Sequence, residues 1–148
     1  FPIINSRANS EFTELTYLAS HNIGMAVDGK TGLLVPNIKN VQQLGLLDVA
    51  REVNRLTEAA RSGVINPADL AGSSITISNI GVIGGTATMP IINKPEVAIV
   101  ALGKIQKLPR FDASNNVVSR NILTVSWSGD HRIIDGAKRE HSPRGLTW

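Results

Sequence analysis

Leu44-Gly45-Leu46-Leu47-Asp48-Val49-Ala50-Arg51-Glu52-Val53-Asn54-Arg55-Leu56-Thr57-Glu58-Ala59-Ala60-Arg61-Ser62-Gly63 is the long stretch of this chain in which apolar residues recur every three or four positions. Leu44, Leu47, Val49, Ala50, Val53, Leu56 and Ala60 share one side, and Glu52, Arg55, Glu58 and Arg61 fall largely on the other. That pattern predicts an amphipathic helix with one buried stripe. Gly63 is placed to stop it, because glycine takes the left-handed conformation that ends helices.

The flanks carry the period of strands. Phe12 to Val27 reads as strand through Thr13, Leu15, Tyr17, Ile23, Met25 and Val27. Asp28-Gly29 is expected to turn the chain, Gly32 to Val35 to return it, and Pro36 to end the hairpin. After Pro67 the strand character resumes. Ser74-Ile75-Thr76-Ile77-Ser78 alternates and is β-branched, and Gly-rich Asn79 to Thr86 is expected to be a loop. Glu96 to Leu102 is nearly all apolar, as in a strand buried on both faces. Asn115-Asn116 marks a turn, and Ile122 to Trp127 is the last expected strand. One long helix among strands predicts an α+β fold, or a mixed sheet with flanking helices.

A chain of 148 residues suits one domain, and its ordinary apolar fraction argues against disorder. It has no cysteine, which excludes a disulfide framework, a thiolate nucleophile and a Cys-based metal site. No run of about 18 apolar residues exists that could cross a membrane as a helix. The net charge of +3 owes much to Lys138, Arg139 and Arg144, which outweigh Glu140. So short a basic stretch, with aromatic residues scarce, does not suggest nucleic-acid binding. The chain opens at Phe1 without a Met and shows no secretory or transit sequence, so a fragment or an already cut chain is expected.

The chemistry concentrates in Ser126-Trp127-Ser128-Gly129-Asp130-His131-Arg132-Ile133-Ile134-Asp135-Gly136. His131 follows a strand-like segment on a turn of small residues, and a neutral imidazole there can take a proton near pH 7. A lone histidine on a turn is more often structural. A metal site is not expected, since His21, His131 and His141 lie far apart with no His-x-x-x-His pair. Ser78, before a Gly-rich turn, is a candidate hydrogen-bond donor into a cleft; the alternative is a serine bonding its own turn. No Gly-x-Ser-x-Gly elbow surrounds it, so a serine hydrolase is not supported. Gly81-Val82-Ile83-Gly84-Gly85 does not match a dinucleotide fingerprint. Gly24-Met25-Ala26-Val27-Asp28-Gly29-Lys30-Thr31 does match the phosphate-loop pattern, but Gly32-Leu33-Leu34-Val35-Pro36 follows where a helix is required.

Five stretches in order resemble one family. They are Ser20-His21-Asn22-Ile23-Gly24, Gly32-Leu33-Leu34-Val35-Pro36-Asn37, Ser78-Asn79-Ile80-Gly81 with Gly84-Gly85-Thr86, Pro95-Glu96-Val97-Ala98-Ile99, and the His131 run with its His-x-x-x-Asp-Gly. Together they resemble the catalytic core of the dihydrolipoamide acyltransferases of 2-oxo-acid dehydrogenase complexes. Val125-Ser126-Trp127-Ser128 looks most like the branched-chain type, whereas the pyruvate and 2-oxoglutarate types usually carry Tyr-Asp-His at this place.

The resemblance implies a chloramphenicol acetyltransferase-like mixed sheet, trimers built into a cage, and a site at a subunit interface. Coenzyme A would enter as substrate from one side, and a lipoyl group on a separate upstream domain, not in this chain, from the other. His131 would be the general base, Ser78 of a neighbouring subunit the oxyanion donor, and Asp135 a residue that holds the local architecture. Asp28, Ser78, Asn79, Gly103 and Ile105 match coenzyme A contacts, although Asp28 could equally be a turn residue. Val82 stands where branched-chain members tend to have Ser, so one polar contact is expected to be missing.

The partners implied are the acyl-dihydrolipoyl domain, further copies of the chain, and the decarboxylase and dihydrolipoamide dehydrogenase components. The location implied is the mitochondrial matrix. The expected division is a partial catalytic domain over residues 1–137 and a divergent basic tail over 138–148, with core elements lacking on both sides. Alone, this stretch is expected not to build an active cage. The alternatives are an acetyltransferase core of the pyruvate complex and a non-catalytic assembly protein.

Overall fold

The computed structural model describes residues 1–135. The expected boundary at 137 and the basic tail lie outside the described residues. In chain order the elements are β1 (Ser6–Ala8), β2 (Leu15–Tyr17), β3 (Ile23–Gly29), β4 (Gly32–Leu34), β5 (Asn37–Ile38), α1 (Leu46–Ser62), α2 (Pro67–Leu70), β6 (Ile75–Asn79), β7 (Ala98–Leu102), β8 (Gln106–Phe111), β9 (Val117–Ile122) and β10 (Val125–Gly129).

The centre is a six-stranded mixed sheet ordered β10-β7-β6-β3-β4, with β5 also on β3. β3, β6 and β7 are mutually parallel, while β10 runs antiparallel to β7. Parallel neighbours need a long crossover. α1 provides the one between β3 and β6, and it packs across β3 and β5. Leu56 and Ala60 are its fully buried residues. Burial of a leucine of this kind stabilises by about 1.5–3 kcal/mol. Gly63 ends the helix at φ 78°, as its sequence position predicts.

Several boundaries differ from expectation. Phe12–Val27 is not one strand: β2 pairs with β1 in a separate small sheet, and β3 belongs to the central one. Asn5 Nδ2 donates to Leu18 O and Ser20 O, at 2.7 and 3.1 Å, and holds the chain out of strand conformation between them. Asp28 and Gly29 do not turn; they pair with Leu33 and Gly32, which moves the hairpin loop to Lys30-Thr31. After Pro67 comes the short helix α2, capped by Asn66 Oδ1 on the Ala68 amide at 2.9 Å, before strand resumes at Ile75. Asn79 still belongs to β6, and a 3-10 turn at Gly81–Ile83 interrupts the Gly-rich loop. The Asn115-Asn116 turn joins two further strands, β8 and β9, and the last expected strand begins only at Val125.

A polar junction sits at the foot of β7. Glu96 is 4% exposed, and its carboxyl group accepts from Ser73 Oγ, from Thr76 Oγ1 (2.7 and 2.9 Å to its two oxygens) and from Asn93 Nδ2 at 3.1 Å. Directly beyond it, Val97, Ala98 and Ile134 form a buried cluster against Ile3, Ile4, Leu15, Ile75 and Trp127. Replacing Glu96 by Ala leaves several buried donors without an acceptor, so E96A is expected to lose about 3–5 kcal/mol in urea unfolding. A loss under about 1 kcal/mol would show the junction to be dispensable.

Candidate active site

His131 lies in a turn two residues past β10. Asp130 N donates to Val97 O at 2.9 Å, and Ile133 N and Ile134 N donate to Asp130 O at 2.9 and 2.8 Å. Ile134, 1% exposed, buries the far side of the turn in the core cluster. The imidazole itself is exposed, open to a proton donor arriving from outside. Asp130 and Arg132 flank it as an ion pair, with Nε to Oδ1 at 2.9 Å and Nη2 to Oδ2 at 2.7 Å. The guanidinium hydrogen bonds hold the Asp130 carboxyl below the ordinary aspartate range, against a smaller opposing effect of burial. Arg132 is raised by the same pair. A cleft of about 690 Å³ adjoins the turn, lined in part by Phe12, Lys94, Ser128, Asp130 and Arg132. Asp135 is exposed at the end of the described residues.

The other expected site residues gather elsewhere. Asn79, Gly103 and Ile105 line one cleft of about 410 Å³, together with Val82 and Lys104. It opens where β6 and β7 end. Asp28 lies near the end of β3, and β3 aligns Ala26 with Ser78, so Asp28 is at the same edge. Asp28 is a strand residue rather than the turn residue of the alternative reading. Ser78 is half-buried one position before Asn79, and its hydroxyl has no hydrogen-bond partner among the described residues.

Gly103 makes this cleft possible. A Cβ added there would stand 2.0 Å from Thr86 O, so only glycine lets the 81–86 loop close onto the end of β7. Lys104 N then donates to Gly85 O at 2.7 Å.

The two groups do not meet within one chain. Ser78 pairs with Ala101 on one side of β7, and Gly129 pairs with Ala98 on the other. With strands about 4.8 Å apart and about 3.3 Å of rise per residue, Ser78 and Gly129 are about 14 Å apart, and His131 lies beyond Gly129. The phosphate-loop match is also resolved: Gly24 to Gly29 lies inside β3 and no helix follows. Among the described residues no group of three or more His, Cys, Asp or Glu could hold a metal ion. No helix among them is long and apolar enough to cross a membrane. Sequence reasoning passed over Glu96, Phe12 and Arg132; the charges on both sides of His131 were the visible signal for the last.

The family model for 2-oxoacid dehydrogenases acyltransferase (catalytic domain) matches residues 1–142. The mouse lipoamide acyltransferase component of branched-chain alpha-keto acid dehydrogenase complex, mitochondrial, is 52% identical over 137 residues, which are 93% of this chain and 28% of that protein. The solved dihydrolipoamide acetyltransferase of Azotobacter vinelandii superposes with TM-score 0.88 at 41% identity, covering 93% of this chain and 56% of that one. That work investigated the roles of a serine, a histidine and an asparagine in its catalytic mechanism. Chloramphenicol acetyltransferase shares the fold, with TM-score 0.56 at 14% identity over 94% of this chain and 65% of that one. The chain thus spans 28% of the length of its mouse relative.

Two outcomes are expected. Gly103→Ala must displace the 81–86 loop, with a loss of about 1–3 kcal/mol and faster amide exchange at Lys104; unchanged exchange would contradict the close approach. Asp130 contributes stability above the ordinary carboxylate value near 3.8, and this is lost as pH falls through its lower folded value. Asp130→Asn should therefore lower the unfolding midpoint at pH 7, with the gap to the unsubstituted chain closing only in strong acid. A gap independent of pH would refute the ionic origin.

Proposed function

The chain belongs to the acyltransferase catalytic-domain family of the 2-oxoacid dehydrogenases, and from that premise we propose that it forms the acyl-transfer centre of a branched-chain complex. The reaction moves an acyl group between dihydrolipoamide and coenzyme A. The observation that carries this reading is the exposed imidazole of His131 on a turn locked to β7 and the core, in a chain 52% identical to a branched-chain lipoamide acyltransferase.

His131 removes the proton from the coenzyme A thiol. The sulfur then attacks the carbonyl carbon of the acyl thioester, giving a tetrahedral oxyanion. A hydrogen bond from the Ser78 hydroxyl stabilises that charge, an effect typically worth about a hundred- to a thousandfold in rate. Collapse breaks the bond to the dihydrolipoamide sulfur, which recovers the proton from the imidazolium. Asp135, four residues after His131, supports the turn. The Azotobacter protein's histidine and asparagine are likewise four residues apart.

Asp28, Asn79, Gly103 and Ile105 share one edge of the sheet, and we assign coenzyme A to it; Lys104 adds a cation there. Because that edge is far from His131 in the same chain, the active centre joins His131 of one copy to Ser78 of another. Val82 and Ile83, 78% and 83% exposed, and Met89 and Ile91, 92% and 88% exposed, offer apolar contact for such copies. A cage of trimers, a lipoyl group on a separate upstream domain, decarboxylase and dihydrolipoamide dehydrogenase partners, and a mitochondrial matrix location complete the reading. So does a catalytic domain over 1–137 followed by a distinct tail.

Thioester exchange between isobutyryl- or acetyl-coenzyme A and dihydrolipoamide tests it, in the chain and in the chain joined to its relatives' flanking core elements. Exchange favouring isobutyryl and lost in both His131→Ala and Ser78→Ala is expected. Co-assembling the two variants should restore roughly a quarter of the activity, the share of random pairings that join two intact halves. Exchange in neither form, or exchange indifferent to His131→Ala, would overturn the reading.

A further inference from the structure

Phe12 is held at φ 56°, a left-handed backbone that suits glycine or asparagine and disfavours a bulky aromatic residue. Asn9 enforces the turn. Its Oδ1 accepts from Thr13 N and Glu14 N at 2.9 and 3.1 Å, its carbonyl accepts from Phe12 N at 3.1 Å, and its Nδ2 donates to Thr13 Oγ1 at 2.8 Å. The result is a phenyl ring set under the Arg132 guanidinium, whose Cζ lies 3.4 Å from the ring centroid. The same guanidinium grips Asp130 with two hydrogen bonds, and Arg132 N adds a third to Asp130 Oδ1 at 3.1 Å. His131 is the residue in between.

Packing alone does not account for this arrangement. Phe12 remains 40% exposed, so its burial is only partial, at a backbone conformation that disfavours it. What it does accomplish is geometric. Val97 and Ile134 anchor the turn on its core side. On its open side the contact between Phe12 and Arg132 ties it to the β1–β2 hairpin.

We propose that Phe12, acting through the Arg132–Asp130 pair, is a positioning residue that fixes the orientation of the His131 imidazole. This rests on the reading of His131 as the general base. Reacting groups must be held close to productive geometry, and a displacement of about 1 Å can cost about a hundredfold in rate. A cation held over an aromatic face by a bidentate carboxylate restrains both distance and plane.

The test separates the device from the base. Phe12→Gly suits the left-handed backbone and removes only the ring; Phe12→Tyr keeps the ring. Carbethoxylation of the histidines by diethyl pyrocarbonate is followed peptide by peptide. Phe12→Gly should raise the reaction rate of His131 severalfold and leave that of His21, before β3, unchanged, while Phe12→Tyr behaves as the unsubstituted chain. In the exchange assay Phe12→Gly should lower kcat about tenfold or more, without changing KM for coenzyme A. Arg132→Lys should do the same, and adding Phe12→Gly to it should cost nothing further.

Unchanged His131 reactivity and unchanged kcat in Phe12→Gly would overturn the proposal, even where His131→Ala abolishes exchange. If His131→Ala leaves exchange intact, the functional reading fails instead, and the carbethoxylation rates still decide the device. Should Phe12→Gly lose its folded state, Arg132→Lys, which keeps the charge and loses the fork, decides the proposal by the same two readouts.

Discussion

The Glu96 carboxyl group, buried where β7 begins, is the constraint on which the rest of this fold depends. A buried carboxyl group is tolerable only when donors meet it; Ser73 and Thr76 bring theirs from around the start of β6, and Asn93 from the segment before β7. Arg7 of β1 adds a backbone bridge to Glu96, while its guanidinium donates to Ser73 O. The N-terminal hairpin, β6 and β7 therefore converge on one group. Hairpins take their register from short turns, but the parallel strands β3, β6 and β7 have no such turns between them. A polar cluster that is satisfied in one alignment only supplies what the connections cannot.

That alignment decides the chemistry available to the chain. With Thr76 opposite Ile99 and Ser78 opposite Ala101, the ends of β3, β6 and β7 come level and gather Asp28, Asn79 and Gly103 at one edge. β10 runs the other way along β7, so its last residue and the His131 turn arrive beside Ala98, at the opposite edge. The direction of one strand thus separates His131 from Ser78. No side-chain rotation recovers about 14 Å, and the proposed centre, with His131 of one copy and Ser78 of another, is consistent with that separation.

How much of this could be read from sequence depends on whether the cause was local. The α1 helix was legible because its period and its terminal Gly63 lie within one stretch. β8 and β9 were not: Gln106-Lys107-Leu108-Pro109-Arg110-Phe111 carries charges and a proline, and its pairing with Val117–Ile122 leaves most side chains in solvent. The break between β2 and β3 is set by Asn5, 13 residues from Leu18, and no periodicity records such a bond. Asn66-Pro67 did carry the cap of α2, a signal overshadowed by the strand beyond it. At the site, His131 stood out through its neighbours in sequence. The grip of Phe12 on Arg132 depends on a turn 120 residues away (132 − 12) and had no sequence signature.

The phosphate-loop match from Gly24 to Thr31 shows the same lesson in reverse, a local pattern whose meaning is set by what it packs against. In a true phosphate site the glycines and the lysine face the N-terminus of a helix, where free amides and the positive dipole end favour an anion. Here they meet the other end of α1. Lys30 N donates to Ala60 O at 3.2 Å, and a Cβ on Gly29 would stand 3.1 Å from that same carbonyl. The Lys30 side chain lies over Gly63, the residue that stops the helix. A cation and a backbone donor at the negative end of a helix are favourable there, and that field repels phosphate. The glycine keeps the hairpin close to α1 and the lysine meets its carbonyl end, so the pattern docks a helix in place of a nucleotide.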